Sequence, residues 1–216
     1  MKSPLFNRRH FTLQALALAA GGNVLPAGAA APGRKILIVG DSLSAEYGLT
    51  RGTGWVALLQ KQLEHSHPGT LIVNASISGE TTSGGRSRLP ALLRQHQPTH
   101  VIIELGGNDA LRGLALSMTE DNLSFMARSA REIGARVLLL GMQMPPNYGP
   151  QMTRQFAALY DKVARSTGSA LVPFFLKTVG DDPDPARWFQ ADRIHPNEAA
   201  QARLLGNVWP ELRKLL

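Results

Sequence analysis

From Lys35 onward the chain alternates short, continuous apolar runs with longer segments of helical period. Few folds accept that alternation. Residues 36–39 (Ile-Leu-Ile-Val) are apolar throughout, as a strand covered on both faces requires. Residues 55–64 then place Val56, Leu59 and Leu63 on one helical face. Residues 71–75 read as a second strand. A loop holding Ser78, Gly79, Thr81, Ser83, Gly84 and Gly85 follows, then a helix near 89–95. Residues 101–105 form the third predicted strand, ending in Gly106-Gly107-Asn108-Asp109. A helix over 119–133 stops at Gly134. A fourth strand covers 137–140, and the proline-rich stretch 144–150 predicts a non-helical loop. A helix over 151–166, a shorter strand at 170–175 and a last helix from about Asn197 complete the pattern. Five strands alternating with helices predict one α/β domain over residues 32–216: a doubly wound, mostly parallel sheet with helices on both faces. Such sheets bind ligands beyond the carboxyl ends of their strands. Ser42, Gly79 and Asn108 all fall just past predicted strand ends.

The residue types at those ends suggest a reaction. A serine hydroxyl becomes a nucleophile when a base takes its proton. Ser42, in Gly40-Asp41-Ser42-Leu43, follows the first strand. Asp192 and His195, in Asp192-Arg193-Ile194-His195-Pro196, are three residues apart, so one loop presents both. Pro196 holds His195 in an extended conformation. Asp192 can take the second imidazole proton and select the tautomer. The other histidines sit in the N-terminal segment (His10), at helix ends (His65, His67, His96) or at a strand start (His100), where surface or structural roles account for them. A tetrahedral oxyanion needs donors, and the Ser42 N–H, the Gly79 N–H and the Asn108 amide are candidates. Singly, each signal has a plainer meaning: Ser42 can cap a helix, Gly-Gly-Asn-Asp can be a turn, and His195 can be packing. Four of them in order favour serine hydrolysis. Ser44 stands where Gly-x-Ser-x-Gly would need its second glycine, which argues against an α/β-hydrolase elbow.

Composition narrows the alternatives. The 216 residues contain no cysteine, which excludes disulfides, cysteine-ligated zinc and a cysteine nucleophile. The formal charge is +7, and setting aside Lys2, Arg8 and Arg9 leaves 20 basic against 16 acidic residues. The arginines are scattered (Arg86, Arg88, Arg94, Arg128, Arg131, Arg136) without interleaved aromatics, a pattern of solvated faces and not of a nucleic-acid surface. Asp181-Asp182-Pro183-Asp184 invites a calcium reading, but its prolines and missing glycine fit a solvated loop better. Residues 1–31 read as an export signal: a basic start, an apolar stretch from Phe11 to about Ala20, and Ala27-Gly28-Ala29 for cleavage near Ala29. Arg8-Arg9-His10-Phe11 resembles a twin-arginine signal, with ordinary secretion the alternative. No run is long enough for a membrane helix, so the mature domain is expected in the periplasm without stable membrane insertion.

The segments Gly40-Asp41-Ser42-Leu43-Ser44, Asn74-Ala75-Ser76-Ile77-Ser78-Gly79, Gly106-Gly107-Asn108-Asp109 and Asp192-Arg193-Ile194-His195-Pro196-Asn197 resemble the four signature blocks of the SGNH (GDSL) hydrolases. Residues 103–113 and Pro146-Asn147-Tyr148-Gly149 are similar to one branch, the bacterial periplasmic thioesterase I / protease I / lysophospholipase L1 enzymes. The resemblance implies a flavodoxin-like three-layer sandwich, a Ser42/His195/Asp192 triad, an oxyanion hole of Ser42, Gly79 and Asn108, and no metal or cofactor. It also implies a small-molecule acyl ester or thioester as substrate. Ala110 and Arg193 stand where relatives often carry glycine. Leu43, Leu49, Leu111, Leu114, Met144, Pro145, Tyr148 and Ile194 are candidates to line an acyl groove, with ordinary packing the alternative for each. The expected protein is a monomeric esterase, thioesterase or lysophospholipase. A carbohydrate O-deacetylase and a catalytically idle lipid-binding module are the rival readings.

Overall fold

The computed structural model describes residues 33–144 and 146–216; the expected export signal and Pro145 lie outside the described residues. Strands β1 (Lys35–Gly40), β2 (Leu71–Asn74), β3 (His100–Glu104), β4 (Arg136–Leu140) and β5 (Ala170–Val172) form one sheet in the order β2-β1-β3-β4-β5. Every pairing is parallel. That is the flavodoxin-like order, with its switch point where β1 meets β2 on one side and β3 on the other.

Helices α1 (Trp55–Ser66) and α6 (Gln201–Leu215) pack together on one face of the sheet. Helices α2 (Thr82–His96), α4 (Leu116–Glu132) and α5 (Pro150–Thr167) pack in series on the other. The central strands are buried nearly throughout: Ile36 to Val39, Val101 to Ile103 and Val137 to Leu140 are all within the core. Covering helices on both faces explain why these runs are apolar at every position and do not alternate.

Several elements differ from expectation. Helix α2 begins at Thr82, about two turns earlier than its apolar period indicated. The Thr81 side chain caps it by accepting the Gly84 N–H. Gly85 is required there, because a Cβ would lie 2.4 Å from Leu105 Cδ1. Packing against Leu105, the residue after β3, thus overrides the poor helix propensity of the two glycines. A one-turn helix α3 (Gly107–Leu111) occupies what was read as a turn. Pro146–Tyr148 makes a 3-10 turn in the stretch expected to be non-helical, and α5 then starts on Pro150, where a missing N–H costs nothing. β5 ends at Val172, three residues early, and Phe175 turns into the core.

Candidate active site

β1 ends at Gly40, and the chain turns at once: the Asp41 carbonyl accepts the Ala45 N–H at 3.0 Å and Asp41 Oδ1 accepts the Leu43 N–H at 3.0 Å. The turn lifts Ser42 beyond the sheet edge while Asp41 stays buried. Gly40 has no room for a side chain, because a Cβ would lie 2.8 Å from both Glu104 Oε2 and Ser44 Oγ.

Asp192 and His195 come from a loop closed on itself. Phe189 and Pro196 form an antiparallel bridge, the Gln190 N–H donates to the His195 carbonyl at 2.8 Å, and the Arg193 N–H donates to the Gln190 carbonyl at 2.9 Å. Inside this closure Asp192 Oδ1 accepts the backbone N–H groups of Ile194 (2.9 Å) and His195 (3.0 Å). Its other oxygen, Oδ2, lies 2.7 Å from His195 Nδ1, and His195 Nε2 lies 2.9 Å from Ser42 Oγ. The backbone N–H of His195, then that of Ile194 and the imidazole, hold Asp192 down at a pKa of about 2. An ionised Asp192 keeps the proton on Nδ1 and leaves Nε2 as an acceptor for the Ser42 hydroxyl. The Tyr47 ring lies against the imidazole, with centroids 4.4 Å apart.

Arg193 pays for the tight loop with φ +58°, a left-handed conformation that favours glycine. Arg193→Gly is expected to raise stability by about 0.5–1 kcal/mol, read as a higher midpoint in thermal unfolding. An unchanged or lower midpoint contradicts the strain argument.

Gly79 adopts φ +77° and its carbonyl accepts Arg112 Nη2 at 2.9 Å. Neither the Ser42 nor the Gly79 N–H donates to a backbone carbonyl among the described residues, so both are available to a bound oxygen. Asn108, on α3, donates its amide to Asp41 Oδ2 and to the Glu80 carbonyl, both at 3.0 Å. The bond to the carboxylate is the stronger of the two. The hydrogen directed at the neutral Glu80 carbonyl is therefore the less tightly held of the two. α3 is itself anchored from below, since Asp109 accepts the Thr82 N–H at 2.9 Å as well as the Thr82 hydroxyl.

The structure brings Ser42, Gly79, Asn108, Asp192 and His195 to one end of the sheet, from the segments after β1, β2, β3 and β5. Of the apolar candidates, Leu43 is half-buried, and Leu111, Tyr148 and Ile194 are exposed at segments on the same end. Met144 is only 7% exposed and packs in the core cluster, so it presents little surface to a ligand. Tyr47, Asp41 and Glu104 escaped the sequence reading. Glu104 had a signal, being the one charged residue in an apolar strand.

Burial raises Asp41 to a pKa of about 6. The folded state therefore binds that proton more tightly than the unfolded chain. Its contribution to stability is full below about pH 3.8 and lost as pH rises through 6. Activity is expected to run the other way, because the ionised Asp41 is the better acceptor for Asn108. On acidification from pH 7 to 5, hydrolysis is expected to fall, while Asp41 favours the folded state and His100, whose burial lowers its pKa, opposes it. The thermal midpoint of wild type is therefore expected to rise relative to that of Asp41→Asn, which parallel rate and unfolding measurements check.

The model of the GDSL-like lipase/acylhydrolase family matches residues 38–203. The chain belongs to that family. Esterase TesA of Pseudomonas aeruginosa is 54% identical over 186 residues, which cover 86% of this chain and 91% of the relative. Thioesterase 1/protease 1/lysophospholipase L1 of Escherichia coli K12 is 43% identical over 187 residues, 87% of each chain. The crystal structure of TesA superposes with a TM-score of 0.81 at 54% identity, over 85% of this chain and all of that one. This GDSL-like hydrolase thus has the α/β fold of solved SGNH enzymes, and among its described residues no helix is long and apolar enough to cross a membrane.

Proposed function

We propose that this chain hydrolyses carboxylic esters and thioesters through an acyl-enzyme on Ser42. Aryl esters, acyl-CoA thioesters and lysophospholipids are the substrate classes. The observation that carries the reading is the continuous relay of Asp192 Oδ2, His195 and Ser42 Oγ at 2.7 and 2.9 Å.

His195 Nε2 takes the Ser42 proton as Oγ bonds to the acyl carbon, and the carbonyl electrons move onto oxygen. The Ser42 and Gly79 N–H groups and the Asn108 amide receive that oxyanion. Collapse expels the alcohol or thiol, which leaves with the proton from His195. Water then repeats the sequence and frees the acid. None of these steps calls for a metal or cofactor. Exposed Leu111, Tyr148 and Ile194 with half-buried Leu43 offer apolar contact to the acyl chain, each contributing about 1 kcal/mol or less when the part of it still exposed is covered.

A chain-length series of aryl esters, acyl-CoAs and lysophospholipids tests the substrate class. We expect kcat/KM to rise with acyl length beyond acetyl. A maximum at acetyl with no further gain contradicts the acyl-groove reading. Export to the periplasm with cleavage near Ala29 is part of the same proposal, and N-terminal sequencing of protein from the cell envelope tests it: an intact Met1 terminus contradicts it.

A further inference from the structure

Beneath the Ser42 turn lies a second carboxyl group that the proposed mechanism does not use. Glu104, the last residue of β3, is fully buried. Parallel register sets it opposite Gly40, the residue before Asp41. Its Oε2 accepts the Asp41 N–H at 3.2 Å and the Ser44 hydroxyl at 2.9 Å. Its Oε1 has no hydrogen-bond partner among the described residues. Gly40 lacks a side chain so that this carboxyl can approach. The Asp41 carboxyl lies beside it and in turn holds Leu43 and Asn108.

We propose that Glu104 is a positioning residue: an uncharged acid that fastens the Ser42 turn through Oε2 and leaves Asp41 as the single negative charge orienting the Asn108 amide. Three observations carry this. Two neighbouring carboxyl groups in a dry site do not both ionise. Of the two, Asp41 has donors on both oxygens, whereas Glu104 has a bare oxygen, and a bare carboxylate oxygen costs more when buried than a bare neutral one. No salt bridge among the described residues reaches either group. Around the pair the titratable groups are Tyr160 of α5, whose hydroxyl donates to the Leu105 carbonyl, Asp109 of α3, and His195 near Asp41. Tyr160 and Asp109 offer no positive charge that would ionise Glu104. Burial and the Asp41 charge both push the Glu104 carboxyl upward.

The inference rests on the proposed oxyanion role of Asn108, and the experiment separates the two. Wild type, Glu104→Gln, Glu104→Leu, Ser44→Ala and Asn108→Ala are compared on one aryl ester from about pH 5 to 8, with fluorophosphonate labelling rates beside kcat and KM. Glu104→Gln preserves a neutral acceptor and is expected to keep kcat within about threefold, with the acid limb of kcat/KM in place. Glu104→Leu removes the acceptor and is expected to lose kcat by about 10–100-fold at similar KM, labelling slowing in step. If Glu104→Leu does not fold, Ser44→Ala reads the same anchor, with an expected loss of about 3–10-fold in kcat. Three results overturn the inference. The first is a loss in Glu104→Gln as large as in Glu104→Leu. The second is an acid limb in Glu104→Gln displaced downward by about a unit, which would mean that a charge had been removed. The third is full kcat in Glu104→Leu or, failing its folding, in Ser44→Ala. Any of these alongside a loss of about 100-fold or more in Asn108→Ala defeats the Glu104 inference alone. Full kcat in Asn108→Ala defeats the oxyanion reading on which it rests.

Discussion

Ser42→Ala is expected to lower kcat on an activated aryl ester by about 10⁴-fold or more, with the protein still folded. Without Oγ no acyl-enzyme forms, and only direct attack by water in the oxyanion site remains. The Ser42 side chain is half-buried and its hydroxyl is paired with His195, so its loss opens no core cavity. Stability is expected to change by no more than about 0.5 kcal/mol. Steady-state rates set against a thermal unfolding curve check both halves. A variant that is folded and retains a tenth of the activity would place the chemistry elsewhere.

Asp192→Asn is expected to cost about 10³–10⁴-fold in kcat. The amide at position 192 can donate to His195 Nδ1, which puts the remaining imidazole proton on Nε2. That nitrogen then cannot accept from Ser42, although the 2.9 Å separation persists. The same substitution weakens two charge-assisted bonds, from the backbone N–H groups of Ile194 and His195, so the loop loses stability as well as function. Single-turnover kinetics should show acylation slowed at nearly constant KM. An effect confined to KM would show that Asp192 shapes binding and not the base.

Much of this could be read in the chain, for identifiable reasons. Strands buried on both faces leave unbroken apolar runs, so β1, β3 and β4 were visible as such. Ser42, Gly79 and Asn108 stand immediately past strand ends, where topology alone collects them. Asp192 and His195 were legible because three residues of separation confine both to one loop. The contacts that depend on tertiary register were not. Glu104 meets the Ser42 turn only because β1 pairs with β3 so that Gly40 faces it. The start of α2 depends on Leu105 filling the space above Gly85, which local propensity does not encode. Helix α3 is too short to show a period, and its anchor is a buried contact between Asp109 and Thr82. Tyr47 reaches His195 from a residue with no motif around it.

The central claim is that a covalent acyl-enzyme forms on Ser42. Mass spectrometry of the protein quenched during turnover of an activated aryl ester, followed by peptide mapping, tests it directly. The account predicts one acyl group per chain, on the peptide carrying Ser42, appearing with the burst of released phenol and absent from Ser42→Ala. Steady hydrolysis without any adduct, or an adduct on another residue that survives in Ser42→Ala, would contradict it.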